Sequence, residues 1–256
     1  MKNHLNLNPD ELHVWLFCYH QLPNVKVLDA FISEAERLRS SRYKFEGLQQ
    51  RYLQTRALLR YVLSCYTKIK PLDIIFSEKV NGKPIVKKSH IHFNISHTET
   101  VLAIGVAEFE VGVDVEQPHA QLDLTSLAHM LFDEQESRTF AGLTGEKARI
   151  DFFLRCWTEK EAFIKATGKG LSLEFSQFFL RPLTERKSCV HCSDRTIMPS
   201  TWYTQYLGVY AKNHMSICYP VSFQRIKFIE PNGFEDDICG EIIRSVKCYH
   251  SLPLTL

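Results

Sequence analysis

The chain has 256 residues, 45% of them hydrophobic, which is enough to bury an ordinary core in one large domain or two smaller ones. Its formal net charge of +2 neither favours nor excludes a nucleic-acid partner. No stretch approaches the ~18 uninterrupted apolar residues of a membrane span, and the start shows no basic leader followed by an apolar segment. We therefore expect a cytoplasmic protein whose eight cysteines are reduced thiols.

The first half of the chain predicts a strand, two helices and three further strands. Apolar periodicity and breaker residues place them as strand 13–20, helices 28–38 and 48–63, and strands 73–79, 91–96 and 101–107. Asn81-Gly82 is a strong turn signal between the first two of these later strands.

The second half repeats that order. The pattern predicts strand 111–116, helical stretches near 123–141 and 146–167, and strands near 173–180, 201–207 and 215–219. We therefore expect an α+β fold of two similar halves, with boundaries at 1–110 and 111–225. The remaining tail, 226–256, contains DDICGEIIRSV (236–246), which is a candidate helix.

Two stretches have unusual composition. A basic run lies between 37 and 60 and has Glu46 as its only acid; its members are Arg37, Arg39, Arg42, Lys44, Arg51, Arg56 and Arg60. A solvated helix face is the usual explanation, and a surface for a phosphorylated ligand is the alternative. The pair Cys189 and Cys192 invites a zinc interpretation, but a structural site needs four ligands and no good second pair exists, so we do not expect zinc.

The stretch EVGVDVEQ, residues 110–117, predicts a strand with two unlike faces. Its valines alternate with Gly112, Asp114 and Glu116, so one face is apolar and the other carries both acids. Two such carboxylates lie roughly 7 Å apart along a strand and repel each other. A cation or a proton is needed near them.

The stretch WTEKEAFIKATGKGL, residues 157–171, predicts a helix on which Glu161 and Lys165 share a face and which Gly168 caps. Two purely structural explanations compete with chemistry here. Thr158 and Glu161 fit a capping box at a helix start, and Glu161 with Lys165 fits a surface ion pair. Taken alone, this stretch favours those explanations.

Two shorter stretches carry polar residues at turns. In HFNISHTET, Ser96 and His97 fall at a strand end, where such side chains hold phosphate oxygens or form ordinary turns. No G-x-S-x-G surrounds Ser96, so a hydrolase nucleophile is not indicated. In NGKP, residues 81–84, the turn presents Lys83, and a lysine in that position is normally solvated.

Together and in this order, NGKP, FNISH, GVDVE and WTEKEAFIKATGKGL resemble the 4′-phosphopantetheinyl transferases, specifically the double-length surfactin-synthetase type. The likeness spans about residues 32–180, including SEAERLRSSRYKF. Its most specific part is G-x-D-x-E followed by W-x-x-K-E-x-x-x-K. The resemblance implies two pseudo-symmetric α+β halves with coenzyme A bound in the cleft between them.

The resemblance also implies roles for individual residues. Asp114, Glu116 and Glu161 would hold Mg²⁺ together with the coenzyme A pyrophosphate, since Mg²⁺ prefers such hard oxygen ligands. Glu161 is the implied base, directly or through a water, and Lys165 the residue that steadies the phosphates. The implied coenzyme contacts are Arg39, Arg42, Lys83, Ser96, His97, Asp114 and Lys165. The arginine contacts are the least specific, because Glu36 stands where some relatives have lysine.

The implied reaction moves the 4′-phosphopantetheine arm of coenzyme A to a serine of an apo acyl or peptidyl carrier protein and releases 3′,5′-ADP. We expect an active monomer with no nucleic-acid or membrane partner. The alternatives are another metal-dependent phosphotransferase or nucleotide hydrolase, and a noncatalytic module that binds RNA or protein through the basic run. The carrier and its pathway stay open.

Overall fold

The computed structural model describes residues 5–22, 28–79, 81–118, 123–220, 225–231 and 246–249. Within these ranges the chain forms five α-helices: α1 (Glu34–Ser40), α2 (Glu46–Thr67), α3 (Leu124–Leu131), α4 (Glu134–Gly142) and α5 (Glu146–Thr167). It also forms twelve strands: β1 (Glu11–Cys18), β2 (Phe76–Glu78), β3 (Pro84–Val86), β4 (His92–His97), β5 (Val101–Ala107), β6 (Gly112–Glu116), β7 (Phe178–Pro182), β8 (Lys187–Cys192), β9 (Trp202–Tyr210), β10 (Asn213–Tyr219), β11 (Arg225–Pro231) and β12 (Val246–Tyr249).

The strands in the described ranges form two five-stranded sheets and one hairpin. The first sheet has the order β12-β11-β1-β5-β4, the second has the order β6-β10-β9-β8-β7, and β2 pairs with β3. Strand β11 runs parallel to β1, so the last part of the chain completes the sheet that the first part begins. The fold is therefore mixed α+β, as predicted, whereas the likeness of the two halves and their boundary near 110 stay predictions.

Several predicted elements change length in the structure. Helix α5 has the predicted bounds, but the helix predicted over 28–38 begins only at Glu34, because Ser33 and Glu36 form a capping box there. The strand predicted over 73–79 is reduced to β2, and β8, which contains Cys189 and Cys192, was not predicted. The helix predicted over 236–246 falls outside the described residues, apart from Val246, which begins β12.

Strand β6 has the two unlike faces that its sequence predicts. Val113 and Val115 are fully buried and pack in the apolar core between the two sheets. The opposite face approaches α5 so closely that a Cβ atom on Gly112 would lie 1.9 Å from the carbonyl oxygen of Ala162. Only glycine allows this approach, and it brings Asp114 up to the helix that carries Glu161 and Lys165.

The two sheets meet at their edge strands β4 and β6, and side chains make the connection. Asn94 Oδ1 accepts a hydrogen bond from the backbone N–H of Val113 at 2.8 Å. Ser96 Oγ accepts one from the backbone N–H of Val115 at 3.2 Å. The side chains of Asn94 and Ser96 thus accept hydrogen bonds from backbone N–H groups at the edge of β6, and these bonds fix β6 beside β4.

Candidate active site

Asp114 and Lys165 form the centre of the site. Lys165 Nζ donates to Asp114 Oδ1 at 2.6 Å and to Ser96 Oγ at 2.9 Å, and Ser96 Oγ donates to Asp114 Oδ1 at 3.0 Å. Asp114 is 1% exposed, and its second oxygen, Oδ2, has no hydrogen-bond partner among the described residues. A buried carboxylate oxygen without a partner is costly, so Oδ2 indicates a position for a bound cation or donor.

The charge of Asp114 acts on two further carboxylates, Glu116 and Glu161. Burial and then the charge of Asp114 raise the pKa of Glu116 to about 7, although a hydrogen bond from Trp157 opposes the rise. Burial and then the charge of Asp114 also raise the pKa of Glu161. The charge of Asp114 therefore makes both Glu116 and Glu161 harder to ionise, which is the setting that a divalent cation relieves.

The metal ligand set itself stays a prediction. Across the described parts of the chain, no three His, Cys, Asp or Glu side chains already surround one metal position. The hard oxygen donors and the unpartnered Asp114 Oδ2 nonetheless fit Mg²⁺ in chemical type.

Both structural explanations of Glu161 are wrong. Helix α5 begins at Glu146, so Thr158 lies in mid-helix, where its hydroxyl donates to the carbonyl of Arg155 and contacts Ser216. A capping box cannot form there, because the backbone N–H groups are already paired. Lys165 forms its ion pair with Asp114, 2.6 Å away, and no direct ion pair joins it to Glu161 among the described residues, although its charge lowers the pKa of Glu161.

A cleft of about 630 Å³ opens beside Glu161 and Lys165. Its polar part is lined by Asn81, Lys83, Asn94, Glu161, Lys165 and Glu174. Its apolar part is lined by Pro84, Met130, Ile164, Leu171, Leu173 and Phe175, of which Met130 and Leu171 are strongly exposed. This is the mostly apolar lining with a few polar groups that is typical of a site for an organic ligand.

His97 ends β4 and does not line the cleft, but the charges of Lys165 and Arg51 act on it. Burial lowers the pKa of His97, although a hydrogen bond with Thr98 raises it, and the charges of Lys165 and Arg51 lower it further. Three elements therefore direct basic groups at one region, which suits phosphate oxygens. Arg51 was not predicted as a site residue, because nothing in the sequence distinguishes it from its neighbours in the basic run.

Lys83 is not solvated, contrary to what its turn position suggests. It is 7% exposed, and Nζ donates to Glu110 Oε2 at 2.8 Å and to the carbonyls of Val111 at 3.0 Å and Ala166 at 2.7 Å. Burial lowers its pKa, and Glu110 counteracts this. Lys83 lines the cleft but ties β6 and α5 together, so a coenzyme contact by this residue stays a prediction.

Of the two predicted arginine contacts, neither lines the cleft. Arg39 and Arg42 are exposed, and Arg39 lies 5.8 Å from the ring centre of Tyr52. Buried Glu36, directly before the run, accepts hydrogen bonds from Arg56 at 2.7 Å and from Arg60 at 2.9 Å. Arg60 is itself 6% exposed, so a solvated face describes only part of this run.

Lys160 is a second residue whose position the sequence did not indicate. Its side chain is fully buried, and Nζ donates to the carbonyl of Leu131 at 2.6 Å and to Glu136 Oε2 at 2.8 Å. Both partners come from other helices, so no local pattern predicts the contact. Lys160 holds α5 against α3 and α4.

Cys189 and Cys192 do not form a metal pair. They are three residues apart on β8, so their side chains point to opposite faces of the second sheet. Cys192 packs against the buried core beneath the sheet.

None of the helices in the described ranges combines the length and apolar composition that crossing a membrane requires.

Comparison with known proteins identifies the chain. Residues 110–218 match the model of the 4′-phosphopantetheinyl transferase superfamily, and residues 21–109 match that of the 4′-phosphopantetheinyl transferase N-terminal region. The chain is 33% identical to the 4′-phosphopantetheinyl transferase HetI of Nostoc sp. over 72% of its own length and 80% of that protein. It is 32% identical to the 4′-phosphopantetheinyl transferase psf-1 of Bacillus pumilus, over 61% of its own length and 66% of that protein. It is 31% identical to the 4′-phosphopantetheinyl transferase Sfp of Bacillus subtilis, over 59% of its own length and 67% of that protein.

The chain therefore belongs to the 4′-phosphopantetheinyl transferase superfamily. Within that superfamily it is an enzyme of the Sfp type, which confirms the resemblance carried by the four sequence motifs.

Proposed function

We propose that this protein transfers the 4′-phosphopantetheine arm of coenzyme A to a serine of an apo acyl or peptidyl carrier protein, in a Mg²⁺-dependent reaction that releases 3′,5′-ADP. The observation that carries the proposal is the pairing of Lys165 with Asp114 at the polar side of a ligand-sized cleft, with Asp114 Oδ2 unpartnered. The names of the relatives supply the type of reaction.

Each residue has a task in that reaction. Glu161 lines the cleft, where its carboxylate is the proposed base that takes the proton of the attacking serine, directly or through a water. Lys165, with His97 beside it, holds the phosphate oxygens and the leaving 3′,5′-ADP. Ser96 orients Lys165 and Asp114 through its hydroxyl.

Asp114, Glu116 and Glu161 are the proposed ligands of Mg²⁺. When bound, the ion neutralises charge on the pyrophosphate and on the three acids. When no ion is bound, the ion pair with Lys165 compensates part of the negative charge of Asp114.

The remaining proposals concern the setting. Both sheets contribute to the site within one chain, through β4 and β6, which supports an active monomer. A cytoplasmic location, and Arg39, Arg42 and Lys83 as coenzyme contacts, are proposed on the sequence alone.

The test is a mass measurement. Incubation with coenzyme A, Mg²⁺ and a panel of apo carriers should add roughly 340 Da to a carrier serine, the mass of the arm in this transfer chemistry. Excess chelator should stop the addition. Transfer at full rate in chelator would refute the metal requirement.

A second readout separates the alternatives. 3′,5′-ADP should appear only when an apo carrier is present. Its release without a carrier would instead indicate a nucleotide hydrolase, and salt-sensitive RNA binding without coenzyme A binding would indicate a noncatalytic module.

A further inference from the structure

Asn94 stands in the cleft with one end of its amide already used. Its Oδ1 accepts the backbone N–H of Val113 at 2.8 Å, across the junction between the two sheets. The residue is 7% exposed and belongs to the lining of the cleft, together with Lys165 and Pro84. Asn94 therefore has both a structural contact and a surface that faces the ligand space.

The orientation of the amide follows from that contact. A backbone N–H needs an acceptor, so the carbonyl oxygen of Asn94 must face Val113 and the NH₂ group must face away from it. No acceptor for Nδ2 lies within hydrogen-bond reach in the parts of the chain that the structure describes, and Nδ2 is not among their fully enclosed unpartnered atoms. The two N–H donors of Asn94 are thus available to the cleft.

The position of Asn94 along β4 determines which part of the ligand it can contact. Ser96, two residues further along the same strand, contacts Lys165 and Asp114, where the phosphates are proposed to lie. Ser96 bonds to Val115, Asn94 to Val113 and Lys83 to Val111, so Asn94 lies between that centre and the hairpin residue Lys83. The same cleft lining includes the apolar side chains of Pro84, Leu171 and Phe175.

We propose that Asn94 is a binding residue for the pantetheine arm, and that its Nδ2 donates a hydrogen bond to a hydroxyl or amide oxygen of the arm next to the pyrophosphate. This inference rests on the proposed function, because it takes coenzyme A as the ligand. The arm is rich in oxygen acceptors, whereas the neighbouring lining offers mainly apolar contact, so one donor here fixes the direction in which the arm leaves the phosphates.

The decisive variant is Asn94→Asp, which keeps the shape and an acceptor for Val113 but loses both N–H donors. Binding of coenzyme A and of 3′,5′-ADP, which lacks the arm, is measured by calorimetry for the parent and the variant. We expect the Kd of coenzyme A to rise about tenfold, as for one lost hydrogen bond, while the Kd of 3′,5′-ADP stays nearly unchanged.

The added negative charge has its own control. Asn94→Ser, which adds no charge and also removes the donors, should again weaken coenzyme A selectively. If Asn94→Ser does not fold, the Asn94→Asp result alone decides.

The outcomes are distinct. Equal weakening of both ligands by Asn94→Asp, or no change in either, overturns the role of Asn94. If the parent neither binds coenzyme A nor modifies a carrier, the proposed function itself fails.

Discussion

Helix α5 carries lysines on two faces, and the two faces are built in opposite ways. On the face toward β6, the Lys165 side chain is 29% exposed, pairs with Asp114 and lines the cleft. On the face toward α3 and α4, Lys160 has no exposed side-chain surface, and its contacts with Leu131 and Glu136 are internal. Charged groups that a ligand can reach indicate chemistry, whereas the same groups fully enclosed indicate scaffolding.

The largest expected effect is on the cleft side. Asp114→Asn preserves the size of the side chain but removes a charged ligand and the partner of Lys165, so turnover should fall by about 100-fold or more. The melting temperature should stay close to the parental value, because the variant also relieves repulsion among the three acids. Carrier mass and thermal denaturation measure the two quantities on one preparation. Near-parental turnover would show that Asp114 is not part of the active site.

The opposite response is expected on the enclosed side. Lys160→Met leaves Glu136 buried without its cation, so the free energy of unfolding should drop by about 3 kcal/mol, measured by urea denaturation. Turnover per folded molecule should change little. Adding Glu136→Gln should restore part of the loss, and a double variant less stable than Lys160→Met would contradict this assignment.

A third charged region lies where β1 pairs with β11, and its charges contribute to stability rather than to the cleft. Burial would raise the pKa of Glu11, but hydrogen bonds from Lys227, Asn8 and His13 outweigh it and lower the pKa to about 2. Because the folded pKa lies below the ordinary 4.5, this stabilisation is present above pH 4.5 and is lost as the pH falls toward 2. It amounts to at most about 3 kcal/mol.

Glu11→Gln tests that region. The variant should be less stable than the parent at pH 7, and the difference should shrink as the pH falls below 4.5, in denaturation curves taken across that range. A difference that is constant with pH would show that the carboxylate charge is irrelevant. Turnover of the variant at pH 7 should remain parental, since β1 lies outside the cleft lining.

The smallest effect is expected on β8 of the second sheet, which carries both Cys189 and Cys192. Replacing Cys189 and Cys192 together by serine should leave turnover nearly intact and cost about 1 kcal/mol of stability, because Cys192 packs against the core. Metal analysis accompanies the assay. Stoichiometric zinc in the parent, lost along with folding in the double variant, would overturn our interpretation of this pair.

The sequence predicted the cleft side of α5 better than the enclosed side, for a physical reason. Strand alternation alone placed Asp114 opposite the valines, and helical spacing placed Glu161 and Lys165 together, because both patterns are local. The contacts of Lys83, Lys160 and Arg51 join segments that are far apart in the chain. No local pattern encodes them, so the turn position of Lys83 suggested a solvated side chain, its coenzyme contact was implied only by the resemblance, and Arg51 was not singled out.

The account depends most on the claim that Glu161 acts through its negative charge, and Glu161→Gln tests it most directly. Turnover at low Mg²⁺ should fall by about 100-fold or more with the melting temperature nearly unchanged, because the variant keeps the side-chain shape in mid-helix but loses the base and the charge. Glu159→Gln, on the same helix and bound to Arg155 and Thr204, is the matched control and should lower the melting temperature instead. Near-parental turnover of Glu161→Gln at low Mg²⁺ would contradict the proposed site.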